Sequence, residues 1–458
     1  MPSAELGLGE PRRMHIVGIG GAGMSAIATV LAGMGHRVSG SDLKDSAALA
    51  RLRLLGVQTE VGHDPGNVTP DLDAVVVSSA IRDDNLEVQA ARNHGVPVLR
   101  RADLLRAIVE TRRTIAVAGS HGKTTTSSML ALVLRAAGWR PSFVIGGDLN
   151  EVGTNAVHDG GEWLVVEADE SDGTFLELEP EVAVVTSVEP DHLDHYGDFD
   201  ALIDAFTRFL AGVPGRRVVC ADDSTASAIA RETGAVTYGF ADEADYGVDA
   251  YNGTRTGSRF TLVARGEMLG TIELPVPGRH NARNAVAAAA TALELGAPFD
   301  AVMHALGGFG GVARRFQFRG EVNGVTIVDD YAHLPTEVAA AINTAREGGW
   351  PRVIAVFQPH RYTRTASLWR DFADAFADAD ALVLTDVYSA GEVPQPGISG
   401  RLVLRAVLDA HPQLPVTYLP RRADLVGQVL RLARPGDVVL TLGAGDLTTL
   451  PDEWIGAG

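Results

Sequence analysis

AGSHGKTTT, residues 118–126, follows an apolar run at 114–117 and precedes a helix-forming stretch at 128–134. A strand, a glycine-rich turn and a helix in this order cradle phosphate, because backbone N–H groups and the helix N-terminus converge on the anion. In such a turn the lysine reaches the outer phosphates and the next threonine holds magnesium. The stretch therefore predicts an ATP-binding loop composed of Gly119, Ser120, His121, Gly122, Lys123, Thr124 and Thr125.

The pattern departs from the full phosphate-loop consensus, because Val117 stands five residues before Gly122 where a glycine is expected. A turn that merely carries a surface lysine is therefore an alternative. The composition argues against it, since Lys44 and Lys123 are the chain's only lysines. A compact ammonium enters a narrow loop where a planar guanidinium does not fit, so Lys123 is predicted to have a specific task in this loop.

Length and composition restrict the class of protein. A chain of 458 residues suggests about three domains. No apolar run approaches the roughly 20 residues that span a bilayer, and residues 1–13 lack the apolar core of a secretory signal. We therefore expect a cytoplasmic protein that is not associated with a membrane. The single Cys220 permits no internal disulfide, and a net charge of −19 disfavours nucleic-acid partners. Whether the protein is a monomer or a homodimer stays open.

The N-terminal region contains a second glycine motif. GIGGAGMS at 18–25 opens a strand–turn–helix unit, and the next strand ends in Ser41 and Asp42. Its glycines allow close approach to a diphosphate, and the acid can bind a ribose hydroxyl, so a dinucleotide is the first interpretation. A glycine turn without a ligand is the alternative.

Acids follow two apolar strands downstream of the phosphate loop, as a metal site for phosphoryl transfer requires. EADESD at 167–172 and EPDHLDHY at 189–196 occupy these strand ends. Further on, PGRHNARN at 277–284 opens an alanine-rich helix, and GGVARRF at 310–316 precedes a domain boundary near residue 319. Capping residues are the alternative explanation for any single position.

The last third of the chain again alternates apolar strands with helices, which predicts a doubly wound sheet. Polar residues expected at its strand ends are Asp330, His333, Arg361 and Arg364. Together they suit a small zwitterion, with arginines for its carboxylate and an acid or imidazole for its amine.

Nine motifs in this order, across nearly the whole chain, resemble the Mur ligase family of peptidoglycan synthesis. They are GIGGAGMS, GSHGKTTT, EADESD, EPDHLDHY, PGRHNARNA, GGVARRF, DDYAHLPTE, FQPHRYTRT and GAGDL. The resemblance implies an α/β protein of three domains. These are an N-terminal Rossmann-like domain for a UDP-sugar at 1–110, a central phosphate-loop ATPase with a mostly parallel sheet at 111–319, and a C-terminal Rossmann-like amino-acid domain at 320–458.

The branch that this chain resembles most adds alanine to a sugar nucleotide. The resemblance implies that ATP phosphorylates the lactyl carboxylate of UDP-N-acetylmuramate, and that the amine of L-alanine then attacks the acyl phosphate. The first glycine motif is thereby reassigned from a dinucleotide to the uridine diphosphate. The resemblance implies that the sugar nucleotide contacts Gly18, Gly20, Gly21, Gly23, Met24, Ser41, Asp42 and Ser79.

The resemblance also implies roles for the remaining motif residues. Thr124 and Glu167 hold one Mg²⁺, and His192 is a ligand of a second. Catalysis uses Lys123, Glu167, His192 and His333. The nucleotide contacts His280, Asn281, Asn284 and Arg314, whereas alanine is positioned by His333, Arg361 and Arg364.

Two departures from the family pattern bear on these roles. Leu334 stands where the family usually has a second histidine, so a role for that imidazole is in doubt. A carbamylated lysine between the metals, present in several sister ligases, is impossible here because Lys44 and Lys123 are the only lysines. The alanine-adding branch also lacks that lysine.

Three alternatives remain at the level of sequence. A ligase that recycles a tripeptide onto the same sugar has a different first glycine motif. A nicotinamide-dependent oxidoreductase would explain GIGGAG and Asp42 but not the phosphate loop. A non-catalytic nucleotide switch would not need the metal residues, and both are present.

Overall fold

The computed structural model of the protein describes residues 6–78 and 80–457. Contacts between residues divide the chain into two compact units. The first comprises residues up to Pro190 with His195–Gly247 and Ala285–Ala305, and the second comprises Asp191–Asp194, Val248–Asn284 and the chain from Leu306 onward.

The N-terminal part of the first unit is a parallel sheet with the strand order β3-β2-β1-β4-β5. The chain turns from strand to helix repeatedly, as the sequence predicts. Its elements are β1 Arg13–Val17, α1 Ala22–Gly33, β2 Arg37–Asp42, α2 Ala47–Leu54, β3 Gln58–Val61, β4 Ala74–Val77, α3 Leu86–His94, β5 Val98–Arg100 and α4 Arg101–Val109.

A larger sheet follows in the same unit, with the order β12-β11-β10-β6-β9-β7-β8. Its strands are parallel except β8, which is antiparallel to β7. Its elements are β6 Arg113–Ala118, α5 Lys123–Ala136, β7 Ser142–Leu149, β8 Thr154–Val157, β9 Trp163–Glu167, β10 Val182–Val185, α6 Leu193–Tyr196, α7 Phe199–Ala211, β11 Arg217–Cys220, α8 Ser224–Thr233 and β12 Val236–Gly239.

Strands β6, β9 and β10 are buried almost throughout, which explains why each reads as a continuous apolar run. Burial on both faces leaves polar side chains no place except the strand ends. The acids after β9 and the loop after β6 are therefore brought to one edge of the sheet, as predicted.

Residues 246–274 are rich in strands, and β14 and β15 pair there as an antiparallel hairpin. The alanine-rich helix predicted to open within residues 277–284 begins at Arg279, so Asn281 lies inside it. These elements are β13 Tyr246–Gly253, β14 Ser258–Ala264, β15 Glu267–Leu274, α9 Arg279–Glu294 and α10 Phe299–Gly307.

The rest of the second unit is a sheet with the order β16-β17-β21-β18-β19-β20, in which β16 alone of the described strands is antiparallel to its neighbour. Its elements are β16 Gln317–Val322, β17 Val325–Asp330, α11 Pro335–Glu347, β18 Val353–Phe357, α12 Tyr362–Leu368, β19 Ala381–Leu384, α13 Gly400–Ala410, β20 Val416–Tyr418, α14 Leu425–Leu432, β21 Val438–Leu442 and α15 Leu450–Ala457. None of the helices described here has both the length and the apolar character that a bilayer crossing requires.

Candidate active site

The turn between β6 and α5 can be made only with glycine at two positions. Gly119 has φ +128°, and a Cβ there would lie 2.2 Å from Thr186 Oγ1 and 2.9 Å from the backbone of Ser187. Gly122 has φ +77° and precedes the first residue of α5. The first N–H groups of a helix have no intrahelical partner, so α5 presents donors for an anion at Lys123, Thr124 and Thr125.

The residues after β10 hold the first half of this turn. Ser120 N–H donates to Ser187 O at 3.0 Å, and His121 N–H donates to Ser187 Oγ at 3.0 Å. The Ser120 hydroxyl accepts from Glu189 N–H at 2.8 Å, and His121 Nε2 lies 3.1 Å from the Glu189 carboxylate. Ser120 and His121 therefore stabilise the loop in this structure, while the N–H groups without an intrahelical partner are those at the start of α5.

Lys123 points back into the turn. Its Nζ donates to Gly119 O at 2.6 Å and to both carboxylate oxygens of Glu170 at 2.9 Å. Burial acts to lower the pKa of Lys123, but the carboxylates of Glu170, Asp169 and Glu167 outweigh it and raise that pKa. The ammonium is thus charged and held in place by Gly119 and Glu170.

Thr124 and Glu167 converge as the sequence predicts for a cation site. Thr124 Oγ1 donates to Glu167 Oε1 at 3.1 Å, and the other oxygen of Glu167 accepts from Gly146 N–H at 2.7 Å. Gly146 permits this approach, since a Cβ there would lie 2.8 Å from both carboxylate oxygens. A carboxylate and a hydroxyl this close are hard oxygen donors, and they fit Mg²⁺.

The N-terminal glycine motif forms a similar turn between β1 and α1. Gly18 N–H and Ile19 N–H donate to Ser41 O at 2.8 and 3.0 Å. Gly20 N–H donates to Asp42 Oδ2 at 2.9 Å, and a Cβ on Gly20 would lie 2.8 Å from the same oxygen. Asp42 therefore stabilises the turn. Its position in the sequence was equally compatible with binding a ribose.

The remaining residues predicted for the sugar nucleotide lie on the same turn or outside the described part. Gly21 is the N-cap of α1, and Gly23 and Met24 lie in its first turn. Ser79 lies outside the described residues.

In the second unit, His280, Asn281 and Asn284 belong to the first turns of α9. The imidazole of His280 lies 3.4 Å from Thr344 Oγ1, and burial lowers the pKa of His280 to about 4. Asn281 donates to Pro277 O at 2.7 Å, and Asn284 is 6% exposed. The buried side chain of Asn281 thus secures the start of this helix.

Arg314 is fixed by the protein itself. Its guanidinium donates to Gly443 O at 2.8 Å and stacks 4.7 Å from the ring centre of Tyr331. Its backbone has φ +61° and donates to the side chain of Gln317. Contact with a nucleotide stays a prediction for this residue.

His333 and Arg364 approach one another through His360. The rings of His333 and His360 are 5.9 Å apart, and Arg364 Nη1 lies 3.1 Å from His360 Nδ1. Burial lowers the pKa of His333 to about 4, so this imidazole is neutral at pH 7. Arg364 also donates two hydrogen bonds to the carboxylate of Asp191, at 3.1 and 3.2 Å.

Arg361 is held by an acid that the sequence analysis did not identify. Its Nε donates to Glu392 Oε1 at 2.7 Å, and Thr363 binds the same carboxylate through its N–H and hydroxyl. Arg361 has φ +70°, an unusual conformation for a side chain of this size. Glu392 follows no strand directly and stands in no motif, so no sequence signal distinguishes it.

Two further positions differ from expectation in what they do. Asp330 accepts from Phe316 N–H and Ala332 N–H, both at 2.7 Å, so its carboxylate anchors the local backbone. Burial raises the pKa of Asp330 to about 6. Leu334 is 3% exposed in the apolar core of the second unit, which leaves no polar task at that position.

His192 belongs to the second unit, and its backbone has φ +54°. Its Nε2 lies 3.2 Å from the carboxylate of its neighbour Asp191. Asp191 therefore touches both His192 and Arg364. The motif EPDHLDHY predicts polar site residues in this segment. Only the structure shows that Asp191 is the acid that binds an arginine.

Three protein-family models match consecutive parts of the chain. They are described as Mur ligase family, catalytic domain, at residues 13–113, Mur ligase middle domain, at 117–292, and Mur ligase, glutamate ligase domain, at 314–445. These ranges follow the three predicted domains in order.

Individual proteins give the same picture. The UDP-N-acetylmuramate–L-alanine ligase of Bradyrhizobium sp. (strain ORS 278) is 49% identical over 456 residues, covering 96% of this chain and 97% of that protein. The crystal structure of UDP-N-acetylmuramate-alanine ligase from Thermotoga maritima superposes with a TM-score of 0.82 at 30% identity, covering 97% and 99%. A murein peptide ligase from Psychrobacter arcticus 273-4 has a TM-score of 0.70 at 23% identity over 97% and 98%, and shares the fold.

Proposed function

This chain belongs to the Mur ligase family, and we propose on that basis that it joins L-alanine to the lactyl carboxylate of UDP-N-acetylmuramate. The enzyme is an ATP-dependent ligase that forms an amide bond. The γ-phosphoryl group of ATP moves to a carboxylate oxygen and ADP leaves. The alanine nitrogen then attacks the acyl carbon, loses a proton and displaces phosphate. The product is a cytoplasmic precursor of peptidoglycan.

The observation that supports the first step most directly is the placement of Lys123 in the turn before α5. A γ-phosphate at the start of α5 would draw the ammonium from Glu170, because a phosphate carries more negative charge than one carboxylate. The lysine then neutralises charge that develops on the transferred group. The first N–H groups of α5 would orient the phosphates, because they have no intrahelical partner.

Thr124 and Glu167 are the residues that would hold Mg²⁺, and His192 is our proposed ligand for a second ion. Mg²⁺ bound there supplies positive charge to the phosphate oxygens during transfer. Glu167 is oriented by Gly146 N–H as well as by Thr124, so it can keep its position when the threonine hydroxyl turns to the cation.

For the second step we assign the amino acid to His333, Arg361 and Arg364. The two arginines suit a carboxylate, and carboxylates of the protein, Glu392 and Asp191, occupy them in this structure. A neutral His333 can accept the proton that the alanine amine must lose before it attacks. An imidazolium at this position could not.

We further propose that residues 1–110 bind the sugar nucleotide, 111–319 bind ATP and 320–458 bind the amino acid. The start of α1 suits the diphosphate, because the first N–H groups of a helix have no intrahelical partner, and the glycine turn that leads into it is held by its own hydrogen bonds to Ser41 and Asp42. His280, Asn281, Asn284 and Arg314 stay our proposed contacts for the ATP nucleoside and phosphates.

The test is phosphate release from ATP with UDP-N-acetylmuramate present and amino acids added one at a time. We expect release to depend on both the sugar nucleotide and L-alanine, and a new amide product to appear by mass spectrometry. Addition of L-alanyl-γ-D-glutamyl-meso-diaminopimelate in place of alanine tests the recycling reaction. Turnover with that tripeptide and none with L-alanine would refute the proposal.

A further inference from the structure

A carboxylate with no exposed surface, Glu87, lies behind the carboxyl end of β2. It stands in the first turn of α3, where Asn85 caps its N–H. Its oxygens accept from Ser41 Oγ at 2.5 Å and from Asn67 Nδ2 at 2.7 Å. The imidazole of His63 adds a contact at 3.1 Å.

Glu87 is charged despite its burial. Burial alone would raise its pKa, but hydrogen bonds from Ser41 and Asn67 and the imidazole of His15, whose Nε2 lies 3.5 Å from the carboxylate, outweigh burial and lower the pKa of Glu87 to about 2. A buried carboxylate costs several kcal/mol unless it is paired and hydrogen-bonded. An apolar side chain could fill this space at no such cost, so the arrangement requires an explanation beyond packing.

Ser41 connects this carboxylate to the glycine turn. Its hydroxyl binds Glu87, and its carbonyl oxygen accepts from Gly18 N–H and Ile19 N–H. The next residue, Asp42, holds the turn in the same way through its side chain. A shift of β2 at Ser41 would therefore move successive N–H groups of the turn together.

We propose that Glu87 is a positioning residue for the sugar-nucleotide site, which fixes Ser41 and, through it, the glycine turn in the geometry that binds a diphosphate. The inference rests on the proposed function. Glu87 acts through Ser41 rather than on the ligand. Charge repulsion alone predicts the opposite effect. A carboxylate near a diphosphate repels it, so neutralising Glu87 should tighten binding of the diphosphate.

The experiment compares Glu87→Gln with Glu60→Gln in the full chain. Glu60 lies on β3 directly across from Ser41 and is exposed, so it is a matched control of the same charge and neighbourhood. Binding of UDP is measured by calorimetry, and KM is measured for UDP-N-acetylmuramate, ATP and L-alanine separately.

For Glu87→Gln we expect the UDP Kd and the sugar-nucleotide KM to rise roughly tenfold to hundredfold, as for loss of a hydrogen bond to a charged group. The kcat and the KM values for ATP and L-alanine should stay within about twofold, and Glu60→Gln should match the wild type. If Glu87 had only a structural role, its replacement would instead lower activity and change the three KM values alike.

Unchanged or tighter UDP binding in folded Glu87→Gln would overturn the inference, as would equal losses for all three substrates. If that variant does not fold, Asn67→Ala removes one anchor of Glu87 at a distance from Ser41. We then expect a several-fold rise in the UDP Kd alone, and no rise would overturn the inference. A wild-type protein that binds no UDP would refute the proposed function itself, which is a distinct outcome.

Discussion

The ion pair between Lys123 and Glu170 allows catalysis and stability to be separated. The ammonium lies 2.9 Å from both oxygens of Glu170, and the two side chains are 14% and 3% exposed. Breaking a buried pair costs about 3–5 kcal/mol because one charge stays buried without a partner. We expect about 3 kcal/mol for Lys123→Met and for Glu170→Gln, since Lys123 retains some solvent contact.

Replacing both partners should restore most of that loss, because no unpaired charge then remains. The Lys123→Met single variant should also depend on pH. It removes the ammonium that lowers the pKa of Glu170, whereas burial and Asp169 continue to raise it. A carboxyl with a raised folded pKa stabilises the fold when protonated, and that stability is lost as pH rises through the folded pKa. The defect should therefore be small near pH 4.5 and full at pH 8.

The assay is hydrogen exchange of the α5 amides in wild type, both single variants and the double variant, at pH 5 and pH 8 without nucleotide. Local exchange is preferable because one free energy of unfolding is ill-defined for a multidomain chain. Phosphate release is measured in parallel, and every variant without Lys123 should be inactive, including the stable double variant. If the double variant loses the sum of the two single losses, the side chains are not coupled and the argument fails.

Three further predictions concern the other candidate residues. Glu167→Gln should raise the Mg²⁺ concentration for half-maximal activity about tenfold, because the amide loses its charge attraction to the cation; a larger shift in Glu170→Gln would contradict our metal assignment. Arg361→Ala or Arg364→Ala should raise the L-alanine KM roughly tenfold to hundredfold while trapped acyl phosphate forms normally; loss of the first step with an unchanged KM would show that the arginines serve the phosphates. Because the pKa of His333 is about 4 when folded and about 6.5 when unfolded, the free energy that opens the structure around His333 should fall by up to about 3 kcal/mol as pH falls from 6.5 to 4; in His333→Gln, hydrogen exchange of the neighbouring α11 amides should show a smaller fall over that range, and an equal fall would refute the shift.

Much of the architecture could be read from the sequence because parallel strands buried on both faces must be apolar throughout. The runs at β6, β9 and β10 therefore appear as strands, and the polar residues after them fall at one edge of the sheet. The need for glycine in the turn after β6 could also be predicted, since Gly119 and Gly122 have backbone angles that other residues avoid.

The sequence by itself indicated the family, the order of the domains, the glycine turn between β6 and α5 and, through the family resemblance, that Thr124 and Glu167 lie together. These depend on local patterns, in which a residue type is required by the conformation or the cation at its own position. Only the tertiary structure decided which acids bind which cations. Glu170 binds Lys123, Asp191 binds Arg364 and Glu392 binds Arg361. Such pairs join residues up to 173 positions apart in the chain. The sequence pattern of an acid after a strand is the same whether its carboxylate binds a cation, a backbone N–H or water.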